Sequence, residues 1–130
     1  MIRSGQANGR QYGRGDTSTV MVGNHAERAA AEFLTQQGYE VIELNYRRKY
    51  CEIDIVARRG GCIYFVEVKY RATNSFGNGL EYIAGRKLQH MRRAAAVWVA
   101  EHAWRGEYTL AAIEVGGPAF QVGQFIESIV

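Results

Sequence analysis

The chain has 130 residues, 47% of them hydrophobic, and a formal net charge of +3. That length buries one core and is too short for two ordinary domains. The longest purely apolar stretch, Ala94 to Ala100, is seven residues, which excludes a membrane-spanning helix; with no apolar signal-peptide core at the N-terminus, a cytoplasmic protein with no membrane partner and reduced cysteines is expected.

Residues 1–20 hold Gly5, Gly9, Gly13 and Gly15 among polar side chains and read as a flexible, basic, glycine-rich tail, with 21–130 as the single domain. Asn24 is placed to cap a helix running to Gln37, with Gly38 as its stop. Glu27 would then stand at N3, where a glutamate closes a capping box. It also borders the stripe of Ala30, Ala31 and Leu34, so an acid belonging to a site is an equal reading. A first strand falls near Tyr39 to Tyr46. Cys51 to Arg58 and Cys62 to Arg71, rich in Ile, Val, Phe and Tyr, read as strands joined by Gly60-Gly61 in a type I′ turn.

If the loop is only Gly60 and Gly61, opposed residues sum to 121, so Asp54 faces Glu67 and Glu52 faces Lys69. Opposed side chains have Cβ atoms roughly 4.5 to 5.5 Å apart, and like charges placed there repel. Two such carboxylates want a cation, and Mg²⁺ or Mn²⁺ favours their oxygens while leaving room for water and phosphate. Lys69, two residues beyond Glu67, shares its face. A metal with an ammonium beside it suits phosphodiester hydrolysis. The competing reading is a structural ion-pair network. Against it, Ile63-Tyr64-Phe65-Val66 runs straight into Glu67, and charges at the end of a buried strand are costly without a partner or a metal.

A polar loop follows at Ala72 to Gly79. A second helix fits Ala84 to Ala103, with Leu88, Met91, Ala95, Trp98, Val99 and His102 as its apolar stripe. Met91 and Trp98 are core residues on this pattern. Lys87, in the first turn, either reaches phosphate or is solvated. Strands near Tyr108 to Val115 and Phe120 to Phe125 flank Gly116-Gly117-Pro118. The order αβββαββ implies an α/β fold, a mixed sheet of about five strands flanked by helices.

Thirteen of the sixteen basic residues are arginine. They cluster as Arg47-Arg48-Lys49, Arg58-Arg59 and Arg92-Arg93, with Tyr46, Tyr50, Tyr64 and Tyr70 near the first two. Arginine forks suit phosphate, and basic residues beside aromatics make a backbone-tracking surface; solvated strand ends and turns are the plain alternative. In the same register Cys51 faces Tyr70 and Cys62 faces Arg59, which disfavours a disulfide.

The run from Gly23 to Ala96 resembles the YraN-like family of endonuclease-like proteins, distant relatives of archaeal Holliday-junction resolvases in the PD-(D/E)xK, or restriction-endonuclease-like, superfamily. The resemblance rests on Ala26-Glu27 with Ala30 and Phe33-Leu34, on Gly38-Tyr39, Asn45-Tyr46-Arg47 and Glu52-Ile53-Asp54, on Phe65-Val66-Glu67-Val68-Lys69 with Arg71, on Phe76-Gly77, and on Lys87. It implies a restriction-endonuclease-like sheet, Asp54 and Glu67 as metal ligands, Lys69 as the catalytic lysine and Glu27 as an acid completing the metal site. The chain departs from the family pattern at Cys51 and Ala26, where glycines are usual, and at Thr109-Leu110-Ala111, where the family carries Arg-Phe-Asp.

Together these features lead to a Mg²⁺- or Mn²⁺-dependent endonuclease acting on nucleic acid, with DNA and branched DNA foremost. Its catalytic residues would be Asp54, Glu67 and Lys69. Glu27 would join the metal, Glu52 and Lys87 would support it, and Arg47, Arg48, Lys49 and Arg71 would hold nucleic acid. The alternatives are a non-cleaving nucleic-acid-binding module of the same fold, acting in DNA processing or uptake, and an RNA-processing nuclease. Resolvases act as two-fold dimers, so a homodimer is expected by analogy.

Overall fold

The computed structural model describes residues 17–72 and 85–129, with side chains from residue 23 onward. Most of the loop expected at 72–79 and the first sixteen residues of the expected tail lie outside them. The elements are α1 (Thr17–Gln36), β1 (Glu40–Arg48), β2 (Cys51–Arg59), β3 (Cys62–Arg71), α2 (Gly85–Glu101), β4 (Glu107–Gly116) and β5 (Gln121–Ile126). They stand in the order expected, with both helices and all five strands in place.

One sheet holds the strands in the order β1-β2-β3-β4-β5. β3 and β4 run parallel and every other neighbouring pair is antiparallel. Parallel neighbours need a crossover, and α2 lies within it. The two central strands are the most apolar: Ile63 to Val66 and Leu110 to Gly116 are buried, apart from the charge of Glu114. Such runs are what two covered faces demand.

α1 covers one face, where Ala26, Ala30 and Leu34 meet Val41, Ile55, Ala57, Tyr64, Val66 and Ile113. α2 covers the other, where Met91, Ala94, Ala95 and Trp98 meet Tyr46, Ile53, Val56, Ile63 and Phe65. Phe65 is wedged edge-on against Trp98 at 5.6 Å and Tyr108 at 5.7 Å. Met91 and Trp98 are thus core residues, as their spacing predicts. Gly106 marks a close approach where β3 and β4 begin: a Cβ there would lie 2.7 Å from the Gly61 carbonyl oxygen, which accepts the Glu107 amide at 3.2 Å.

Two local expectations are corrected. α1 begins at Thr17, so Asn24 lies inside the helix and cannot cap it. The capping-box role of Glu27 falls with it, because that motif needs an open first turn. In the β2–β3 hairpin, Arg59 pairs with Cys62 around Gly60-Gly61 as expected. Only Gly60 of the two glycines has a positive φ, +62°, the pattern of a type II′ turn rather than I′.

Candidate metal and nucleic-acid site

The hairpin register holds for five pairs, from Arg59–Cys62 to Ile55–Val66, and stops one pair short of Asp54 and Glu67. The reason lies in β1 and β2. Leu44 and Ile55 pack on the α1 face, whereas Tyr46 and Ile53 pack on the α2 face. Residues two apart on a strand should share a face, so both strands turn over at the residues between. Those residues, Asn45 and Asp54, fall opposite each other between the Leu44–Ile55 and Tyr46–Ile53 pairs. Asn45 has φ +54°, a left-handed conformation that asparagine tolerates better than most residues.

This turnover peels the first half of β2 away from β3. Glu52 pairs with Arg47 instead of Lys69, their side chains 3.3 Å apart. Cys51 pairs with Arg48 instead of Tyr70. Lys69 faces Glu114 across the parallel β3–β4 ladder and is exposed. Where the β2–β3 ladder ends, a side chain replaces the main chain. Counting alternate hydrogen-bonded pairs from Arg59–Cys62, the Val68 amide is the next donor due a β2 carbonyl; it donates instead to Asp54 Oδ2 at 2.8 Å.

Asp54 nevertheless feels the charge of Glu67. Burial pushes the Asp54 carboxyl well above the usual carboxylate range; the Glu67 charge adds to this, the Val68 N–H opposes it, and Glu27 raises it further. Glu67, whose side chain is 12% exposed, is raised first by burial, while Lys87 and Lys69 hold it down and Glu52 raises it. Lys87 Nζ lies 3.1 Å from Glu67 Oε2. Burial works against the Lys87 charge, but Glu67, Asp54 and Glu52 together outweigh it and hold the ammonium charged above the ordinary lysine range. Lys87 is thereby drawn to the acids, an arrangement that neither reading of its sequence position anticipates.

The basic residues divide. Arg47 and Lys49 are exposed, and Arg47 lines a cleft of about 320 Å³ together with Arg48, Tyr50, Glu52, Lys87 and His90. Lys49 itself sits over the Tyr50 ring at 5.4 Å. Arg48 is engaged by Glu101 through Nε at 2.8 Å and Nη2 at 3.0 Å. Arg71 donates through Nε to the fully buried Glu114 at 2.9 Å. Its first task is therefore to neutralise a core carboxylate.

Asn45 was not singled out for a role by sequence reasoning, yet its amide donates to Glu27 Oε1 and ties α1 to the strand turnover. His90, on the cleft wall one turn beyond Lys87, was missed as well. An asparagine inside a strand pattern was the available signal for the first; an exposed helical histidine offers none.

As a metal site the arrangement is spare. Among the described residues no three His, Cys, Asp or Glu side chains gather as a ligand set. Glu27, expected as a third ligand, accepts the Asn45 amide through Oε1 and acts electrostatically on Asp54. Asp54 and Glu67 remain, each with one oxygen on a protein donor. Two carboxylates fit Mg²⁺ or Mn²⁺, which keep waters and phosphate in their shell, and do not fit zinc, which wants three or four protein ligands. No helix among the described residues is long and apolar enough to cross a membrane.

The chain resembles bacterial proteins over the segment that carries these residues. It is 44% identical over 81 residues to a UPF0102 protein of Beutenbergia cavernae, covering 62% of this chain and 69% of the relative. It is 39% identical over 82 residues to UPF0102 protein FN1370 of Fusobacterium nucleatum, covering 63% and 69%. With a UPF0102 protein of Cytophaga hutchinsonii it shares 33% over 103 residues, 79% of this chain and 91% of the relative. The model of the family described as "Uncharacterised protein family UPF0102" matches residues 26–115, from the middle of α1 through β4. The span includes Glu27, Asp54, Glu67, Lys69 and Lys87, and the chain belongs to that family.

Proposed function

We propose that this protein is a Mg²⁺- or Mn²⁺-dependent endonuclease of the PD-(D/E)xK type, hydrolysing phosphodiester bonds in DNA, branched DNA included. The observation that carries this reading is the pair of desolvated carboxylates, Asp54 and Glu67, left together where β2 leaves β3 and flanked by the ammonium groups of Lys69 and Lys87. Asp54 and Glu67 would hold the ion through their remaining oxygens. Bound there, the ion supplies Lewis acidity at the scissile phosphate. The Val68 amide fixes Asp54 in place, so little reorganisation is left for the moment of reaction. Lys69 is exposed on the same strand face as Glu67 and is the group free to orient water or to meet developing negative charge. Arg47, on the cleft wall, and the exposed Lys49 beside Tyr50 would meet phosphates.

A second reading, a nucleic-acid-binding module of the same fold acting in DNA processing or uptake, draws on one observation. Lys87 already neutralises Glu67, and a site balanced by its own lysine can bind phosphate without a metal. Cleavage of linear, single-stranded, flapped and four-way-junction DNA with Mg²⁺ or Mn²⁺, comparing wild type with Lys69→Met and Asp54→Ala, decides between them. Turnover in Lys69→Met is expected to fall by ~10² or more, the scale of one lost transition-state contact, with binding nearly unchanged and the fold intact in Mg²⁺, as melting with and without the ion checks. Undiminished turnover in a folded Lys69→Met protein defeats the catalytic role. A wild type that binds and cuts nothing supports the module.

A further inference from the structure

Tyr50 is the residue at the site that folding does not explain. Arg48 and Cys51 pair across a two-residue turn formed by Lys49 and Tyr50. Tyr50 occupies it with φ +65°, a conformation that glycine or asparagine adopts at least cost. An aromatic side chain kept there strains the backbone. It recovers little by packing: Tyr50 is 75% exposed, and the ring contact it makes is with the Lys49 ammonium. Tyr108, the other large exposed hydrophobic residue among those described, at least packs edge-on against Phe65. The Tyr50 ring stands at the rim of the cleft whose walls carry Arg47, Arg48, Lys87 and His90. Two of the lining residues, Glu52 and Lys87, also act electrostatically on Glu67.

We infer that Tyr50 is a stacking platform for an unpaired base, and that the cleft takes the phosphates of the same strand, so that the substrate is a nucleic acid carrying at least one unstacked nucleotide beside the acidic pair. This rests on the nucleic-acid reading above and narrows it. Stacking on an aromatic face is available only to a base released from its neighbours, and the Arg47 and Lys87 charges match the strand's backbone. An acidic peptide would satisfy the arginines but brings no flat ring for Tyr50. A fully paired duplex offers phosphates and no free base face.

The test is fluorescence anisotropy on two fluorescein-labelled DNA probes of the same sequence, one fully paired and one with an unpaired flap, with Ca²⁺ in place of Mg²⁺ to prevent cutting. An RNA version of the flapped probe distinguishes the sugar. Wild type and Tyr50→Phe are expected to favour the flap. Tyr50→Asn is expected to bind the flap roughly tenfold or more weakly, the scale of one lost base–aromatic stack, with duplex affinity unchanged. Asparagine suits the left-handed turn, so the melting temperature of Tyr50→Asn should equal or exceed that of wild type, which separates a lost contact from a damaged fold. Retention of the flap preference by Tyr50→Asn overturns the inference. So does a wild type that binds duplex and flap equally, which leaves the nucleic-acid reading standing. A wild type that binds neither probe overturns both.

Discussion

Lys87 Nζ sits 3.1 Å from Glu67 Oε2, joining the first turn of α2 to the middle of β3. The lysine does for the metal-free protein what a divalent ion would do: it offsets two carboxylates that repel each other. Replacing it with methionine leaves the acids with less counter-charge. The Lys87 side chain is 44% exposed, so solvent screens the pair and the loss is about 1–2 kcal/mol, at the lower end for a hydrogen bond between charged groups. Melting in EDTA should fall by several degrees in Lys87→Met. Because a ligand stabilises by its affinity for the folded state, saturating Mg²⁺ should raise the melting temperature more in the variant than in wild type. An equal or smaller rise would separate Lys87 from the metal site.

The acidic pair also sets a pH dependence of definite sign. Burial, and then the Glu67 charge, raise the Asp54 carboxyl in the folded protein. A carboxyl with a raised folded-state pKa binds more protons folded than unfolded, so its ionisation works against folding. Without metal, its contribution to stability is lost as pH rises from the ordinary carboxylate range, about 4, through the raised folded value. Asp54→Asn removes this ionisation and keeps an acceptor for the Val68 amide. In EDTA the variant should therefore gain on wild type as pH is raised, and be the more stable of the two at neutral pH. A difference in melting temperature that is flat with pH, or favours wild type at neutral pH, contradicts the placement of Asp54 in a desolvated pair.

Arg71 and Glu114 form a different kind of pair. Glu114 is fully buried and its second carboxylate oxygen has no donor among the described residues, so the Arg71 guanidinium is the partner that its burial depends on. Removing one member of such a pair strands the other. Arg71→Met should cost about 3 kcal/mol, and adding Glu114→Leu should recover most of it, since an apolar substitute for both members is often neutral. Chemical denaturation of the two single variants and the double variant measures the cycle. Full stability in Arg71→Met would return this arginine to the nucleic-acid surface expected of it.

The elements were legible because their signals are local. Gly60-Gly61 between two β-branched runs set the hairpin, and the central strands announced themselves by unbroken apolar stretches. The turnover at Asn45 and Asp54 was hidden by the same regularity. Cys51, Ile53 and Ile55 alternate without a break in sequence, yet the first two pack with α2 and the third with α1. Period-two reasoning carries one face straight through and predicts Glu52 opposite Lys69. The contact of Lys87 with Glu67 was out of reach for another reason, since nothing local fixes how far α2 lies above β3. Asn24 misled because a good capping residue is also tolerated inside a helix that begins earlier.

The order in which these parts meet follows from the connections. Asp54 and Glu67 belong to a hairpin closed by a loop of only two residues, a short contact in sequence, whereas Lys87 reaches Glu67 only when α2 has seated in the crossover between β3 and β4. A hairpin formed before α2 seats would bring the two acids near each other without that counter-charge. In such a hairpin their repulsion opposes pairing and the docking of α2 relieves it, so the Lys87–Glu67 contact couples a non-local step to a local one.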